Sequence, residues 1–170
     1  KNIILGPAIG RAVHRSLNLI NFKDNTEKIK NICSNCAYSE GIFSNTLDVE
    51  NCVFKALSTN TIKNLQNNFS REVPISGKIG NSKYSGYIDL LIENNDHYVI
   101  VDYKTDSINK KNTIESKVEK YSKQLATYSV LLKQNGIQKD IKAMFLFLDS
   151  SKDIEYEIAD LSKIETAVSE

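Results

Sequence analysis

The stretch from Gly86 to Lys104, GYIDLLIENNDHYVIVDYK, constrains this chain more than any other. Two runs rich in β-branched and aromatic residues flank Asn94-Asn95-Asp96. The break between them is turn chemistry, so the stretch predicts a β-hairpin. Side chains on a strand alternate between faces. Val99, Val101 and Tyr103 therefore share one face of the second strand, and Asp102 and Lys104 the other. On the first strand Asp89 is set among Ile88, Leu90, Leu91 and Ile92. Charged residues seldom occupy the middle of a central strand unless they are paired or bound to a metal.

Two carboxylates held close together stay ionised together only beside a cation. Ligands that are all oxygen favour a hard ion, Mg²⁺ first and Mn²⁺ as its substitute. An ion with open positions activates water and stabilises charge on a phosphate. A neighbouring lysine can position that water or stabilise the transition state. Asp89, Asp102 and Lys104 thus have the makings of a phosphodiester-cutting group. The plainer reading of the same residues is a buried Asp–Lys ion pair beside a hairpin aspartate.

Several motifs recur in one order along the chain. They are Gly6-x-x-x-Gly10-x-x-x-His14, Arg71-Glu72-Val73-Pro74, Gly86-x-Ile88-Asp89, Val101-Asp102-Tyr103-Lys104-Thr105-Asp106 and Gln124-x-x-x-Tyr128. Together they resemble the RecB/AddA-type nuclease domain of the PD-(D/E)xK superfamily, found at the C-terminal end of UvrD-like helicase–nucleases. The resemblance runs from about Gly6 to about Leu148. It implies a restriction-endonuclease-like α/β fold, a mixed sheet flanked by helices, with an N-terminal helical layer. It further implies a Mg²⁺-dependent deoxyribonuclease of exonuclease type, serving double-strand-break repair and recombination.

By the same resemblance His14, Asp89, Asp102 and the Tyr103 carbonyl are metal ligands, and Lys104 acts on the water with Asp89 and Asp102. Gln124 and Tyr128, with Lys117 and Lys120 nearby, would bind DNA, single-stranded at the site. Glu72 is a further candidate, as an outer ligand or water holder. The implied partners are DNA, the helicase domain of a longer parent chain and a subunit of AddB or RecC type. A catalytically silent DNA-binding or scaffolding module is the alternative function. A CRISPR-adaptation exonuclease is the alternative enzyme. Relatives with an iron–sulfur cluster use four cysteines, mostly after the nuclease motifs. This chain has Cys33, Cys36 and Cys52 and none later, so no cluster is expected.

With 170 residues, 41% hydrophobic and 25% charged, the chain suits a single nuclease domain. Residues 1–69 are expected to form a helical part and 70–170 an α/β catalytic core. A net charge of +1 provides no global basic field, so any nucleic-acid binding must rest on a local patch. No apolar run approaches membrane-spanning length and no signal peptide is visible, which predicts a cytoplasmic protein. The first residue is lysine, and the chain is expected to be a piece of a longer one.

Elsewhere the readings are structural. Pro7 opens a helix with Ile9, Val13, Leu17 and Ile20 on one face. On that helix His14 reads, without the motifs, as a half-buried histidine making one hydrogen bond. Gly6 and Gly10 would allow close backbone approach. Asp24 is a candidate helix cap, and residues 45–68 read as one helix or two, broken near Ser58-Thr59-Asn60. Arg71–Ile79 predicts an edge strand, because Pro74 cannot donate a ladder hydrogen bond. Gly77–Ser82 reads as a loop, and Ile108–Lys111 as a basic loop. A helix over 112–134 places Ile114, Val118, Tyr121, Leu125, Tyr128 and Leu132 on its core face. Strands over 142–148 and 152–158 and a terminal helix complete the chain.

Overall fold

Apolar and polar residues alternate along Ile75–Ile79 and again approaching Leu90, and these stretches form the longest ribbon of the protein. The structure is a computed structural model describing residues 5–66, 68–108, 113–150 and 154–170. Strand β1 (Phe69–Ile79) pairs antiparallel with β2 (Ser82–Glu93), from Phe69↔Ile92 to Ile79↔Ser82. The loop expected over 77–82 is therefore mostly strand. Only Gly80 and Asn81 turn, and Gly80 has φ of +58° at the first central position. That is the backbone of a type II′ hairpin, whose twist matches its strands. Cross-strand pairing overrides the turn-like composition of Gly, Lys, Asn and Ser.

The predicted hairpin is present. β2 pairs antiparallel with β3 (His97–Lys104), from Leu90↔Val101 to Glu93↔Tyr98. Strands β4 (Asp140–Phe147) and β5 (Glu155–Glu157) pair antiparallel at Met144↔Glu157. The sheet order is β1-β2-β3-β4-β5, so Pro74 does lie on an edge strand.

Thr113 caps helix α5 (Ile114–Gln134) by accepting from the Ser116 amide, and Asn135 with Gly136 ends it. Leu125, Tyr128 and Leu132 are buried as expected, whereas Ile114, Val118 and Tyr121 are only half-buried. Ser122, Ala126, Ser129 and Leu131 are buried as well. The buried arc is wider than one stripe because α5 packs on both β1 and helix α6 (Leu161–Ser169). Glu165 of α6 accepts from Ser129 and from Lys133, the latter at 2.7 Å.

Helices α1 (Leu5–Leu19), α2 (Thr26–Ser39) and α3 (Thr46–Ser58) pack on one another, and α4 (Asn60–Lys63) follows α3. Ala8, Ala12, Val13, Leu17, Cys33 and Val53 are wholly buried there. The cap of α2 is Asn25, which accepts from the Lys28 amide, rather than Asp24. Asp24 instead accepts from the Asn21 amide and from Lys28 Nζ. The break after Ser58 falls at Thr59, whose hydroxyl accepts from the Ile62 amide.

The chain divides into two compact units. One comprises Lys1–Asn64, Tyr103–Ser107 and Phe147–Ile154; the other comprises Leu65–Asp102, Ile108–Leu146 and Glu155–Glu170. Together the elements make an α/β fold with a mixed five-stranded sheet and, among the described residues, six α-helices. Most of the basic loop expected over 108–111 lies outside the described residues.

Candidate active site

The register of the three consecutive strands decides where their acids stand. One step past its last pair, Leu90↔Val101, the antiparallel register sets Asp89, just before Leu90, opposite Asp102, just after Val101. Neighbours across a ladder point to the same face, so the two carboxylates project side by side. Asp102 is only 6% exposed and Asp89 is half-buried. Lys104 lies two residues beyond Asp102, on that same face of β3.

Glu72 joins this level from β1. The pairs Arg71↔Leu90 and Val73↔Ile88 keep one register, which sets Glu72 across from Asp89. Its φ is +47°, and among the described residues no other non-glycine has a positive φ. The left-handed region costs an L-residue roughly 1–2 kcal/mol. A strained residue beside two acids is the kind of outlier that gathers at functional sites.

The unit that holds α1 also holds the end of β3. His14 Nε2 lies 2.9 Å from the Tyr103 carbonyl oxygen, and the two rings meet edge-on at 5.8 Å. One turn earlier on α1, a Cβ at Gly10 would stand 3.1 Å from Thr105 Oγ1. The close approach expected of Gly10 is real, whereas a Cβ at Gly6 would meet nothing within 4 Å. His14 thus contacts the very carbonyl expected to share its ligand role. In this geometry its Nε2 is engaged with that oxygen.

Helix α5 approaches the other face of the ribbon. A Cβ on Gly86 would overlap the Tyr128 hydroxyl, and one on Gly77 would stand 2.6 Å from Leu131 Cδ2. Gly77, Gly86, Ile88 and Leu90 therefore face α5, while alternation turns Asp89 away. Gln124 Nε2 donates to Tyr128 Oη at 3.0 Å, and Tyr128 is 8% exposed. Lys120 Nζ lies 3.1 Å from Tyr121 Oη and 4.7 Å from its ring centroid. Lys117 is half-buried on the same helix. The Gly86 and Gln124-x-x-x-Tyr128 motifs thus meet in one packing contact, which the sequence did not reveal.

Among the described residues, no group of three or more His, Cys, Asp or Glu side chains is arranged to hold a metal ion. Mg²⁺ does not require such a cage. It usually binds through one or two carboxylates, keeps several waters and takes substrate phosphates. Asp89 and Asp102, with hard oxygen donors on one face, fit that demand. The cysteines form no part of it. All three are free and buried, and burial pushes the Cys33 and Cys52 thiols up to about 11.

Comparison with known proteins gives three results. No curated protein matches the chain. Among solved structures, SSO0001 aligns at 16% identity with a TM-score of 0.41, covering 97% of this chain and 83% of its own. A family model described as the PD-(D/E)XK nuclease superfamily matches residues 5–170. That match spans the strand bearing Asp89, the Asp102-x-Lys104 run that ends the next strand, and α1 before them: the chain belongs to the PD-(D/E)XK nuclease superfamily.

Proposed function

We propose that this chain is a Mg²⁺-dependent DNA nuclease, with Asp89 and Asp102 as the acidic ligands and Lys104 acting on the attacking water. The observation that carries the reading is the placement of the two aspartates, next to each other on adjacent strands and on one face. When bound, the ion would supply charge neutralisation for the phosphate and a more acidic water. Asp89 and Asp102 would hold it, joined by the Tyr103 carbonyl and by His14. For His14 to bind metal its Nε2 must give up the carbonyl and carry no proton. While the present contact persists, His14 orients that carbonyl instead. Lys104 would place its ammonium against the developing phosphate charge, where a single preorganised donor is worth roughly 10²–10³ in rate. Glu72, opposite Asp89, would hold a water at the outer edge.

Gln124, Tyr128, Lys117 and Lys120 are assigned to positioning the DNA strand; Gln124 and Tyr128, on the face of the ribbon opposite Asp89, would do so indirectly, by holding the ribbon at Gly86. In the wider setting the domain is proposed to be the exonuclease module of a RecB/AddA-like helicase–nuclease. It would act in the cytoplasm on single-stranded ends during double-strand-break repair. The helicase domain of its parent chain and a subunit of AddB or RecC type are its proposed partners.

The test is cleavage of end-labelled single-stranded DNA in Mg²⁺, with folding checked by circular dichroism. Asp102→Asn and Lys104→Ala should each lower the rate by about 10²–10³-fold. A folded variant of either kind that cuts at the wild-type rate rules the assignment out. A labelled circle, which has no ends, separates exonuclease from endonuclease action.

A further inference from the structure

The same ribbon that carries Asp89 and Glu72 continues well beyond them. Its register pairs Pro74 with Tyr87, Ser76 with Ser85, and Lys78 with Lys83. By alternation these six side chains lie on the face that carries Asp89, opposite the face toward α5. All six are exposed, Tyr87 to 61%, while Ile75 and Ile79 between them are buried. Between the lysines and the Glu72–Asp89 level, this face has no carboxylate. At the tip, Ser76, Gly77, Lys78, Lys83, Tyr84 and Ser85 line a groove of about 480 Å³.

Like charges directly across an antiparallel pair destabilise the ribbon. Lys78 and Lys83 stand in that relation, and among the described residues neither joins an ion pair. An edge strand often carries a lysine to discourage pairing with other chains. That accounts for Lys78 on β1 and, because β2 pairs with β3 only over Leu90–Glu93, for Lys83 as well. It does not account for the two standing directly opposite each other, nor for an exposed tyrosine between the pair and the acids. A polyanion would turn the repulsion into attraction.

We infer that this face of the β1–β2 ribbon is a nucleic-acid track: Lys78 and Lys83 clamp backbone phosphates at its tip and Tyr87 stacks a base between the clamp and the acids. Ser76 and Ser85 offer hydroxyls to the backbone on the way. From Lys83 to Asp89 the strand runs about 20 Å. That spans roughly six stacked nucleotides at about 3.4 Å each. The track rests on the nuclease reading for its direction, since it leads the strand toward Asp89 and Asp102. It also meets the requirement set by a nearly neutral chain, a local basic patch.

The experiment measures binding without metal, so that nothing is cut. Fluorescein-labelled oligothymidylates of 4 and 16 nucleotides are titrated in EDTA at several salt concentrations and followed by anisotropy. Lys78→Gln/Lys83→Gln should weaken 16-mer binding by about tenfold near physiological salt and reduce the salt slope by about 1.4, roughly 0.7 per phosphate contact on a single strand. Tyr87→Ala should weaken binding while leaving the slope unchanged. The wild type should bind the 16-mer more tightly than the 4-mer, which is too short to span clamp and acids, and the double variant should lose that length advantage. A double variant with wild-type affinity and slope overturns the track, as does tighter charge-dependent binding to anionic vesicles or an acidic peptide. Cleavage in Mg²⁺ is a separate arm. A chain that binds through the lysines yet cuts nothing defeats the nuclease reading and leaves the track standing. A chain that cuts, with binding indifferent to the lysines, does the reverse.

Discussion

At the scale of single residues, the pattern of acids was legible and its surroundings were not. Period-two alternation is enough to put Asp102 and Lys104 on one face of β3. Nothing in composition says that Glu72 has φ of +47°, because tertiary pairing imposes that backbone. Glycine adopts this conformation without strain but normally weakens a strand interior. Glu72→Gly should therefore cost no stability in urea denaturation, whereas Glu72→Gln keeps the strain and any packing. If Glu72 serves the site, both variants lose cleavage; if both cut normally, its role is structural. Gly86 was visible as a motif letter, but the reason for it, the Tyr128 ring on α5, was not. Gly86→Ala should destabilise by about 1–3 kcal/mol through overpacking. In a Tyr128→Phe background the overlapping hydroxyl is gone, and the penalty should shrink by about 1 kcal/mol in a double-mutant cycle. Identical penalties in both backgrounds would mean that the crowding lies elsewhere.

At the scale of elements, existence and order were readable and edges were less so. The hairpin, the edge strand with Pro74 and the break at Thr59 all stand where periodicity and turn residues put them. The stretch 77–82 is rich in residues that favour turns, yet a two-residue hairpin there lets the backbone of Gly77, Lys78, Ile79 and Ser82 join a ladder that a loop would leave to solvent. Cap choice between Asp24 and Asn25 was likewise beyond sequence, since either side chain can accept from a helix amide. Thr113 is the clearer case, because α5 begins at Ile114 and its hydroxyl accepts from Ser116. Thr113→Ala should cost about 1 kcal/mol and Thr113→Ser almost nothing, read by thermal unfolding. A loss of equal size in both would place the effect outside the cap.

At the scale of the whole molecule, the sequence suggested an N-terminal helical part followed by a core, while contacts sort the chain into units that exchange short segments. Residues 103–107 and 147–154 group with the helices although they adjoin strands β3 and β4. Sequence order cannot show such an exchange, because it depends on which distant residues pack together, as His14 does with Tyr103. The helical unit also sets an alkaline limit on stability. Burial raises the Cys33 and Cys52 thiols from 9.0 to about 11. Between those values the unfolded chain has released protons that the folded chain keeps, so stability falls as pH rises. The contribution is fully present below about 9 and gone above about 11, on the order of 1–3 kcal/mol per thiol. The acid side differs. Asp24, Glu93 and Asp96 are held below their ordinary values chiefly by hydrogen bonds from Lys28, Lys139 and His97, so their contribution disappears as pH drops through those lowered values. Glu93 and Asp96 are exposed and Asp24, although half-buried, is paired with an exposed lysine, so solvent screening makes that limb shallow. Urea midpoints should therefore be level from pH 6 to 8.5 and drop more steeply toward pH 11 than toward pH 4. Tyrosines and lysines also titrate at high pH, so the thiol share is the difference between the wild type and Cys33→Ala/Cys52→Ala. The double variant should start less stable and decline less between pH 9 and 11. Parallel declines would show that the thiols do not set the limit.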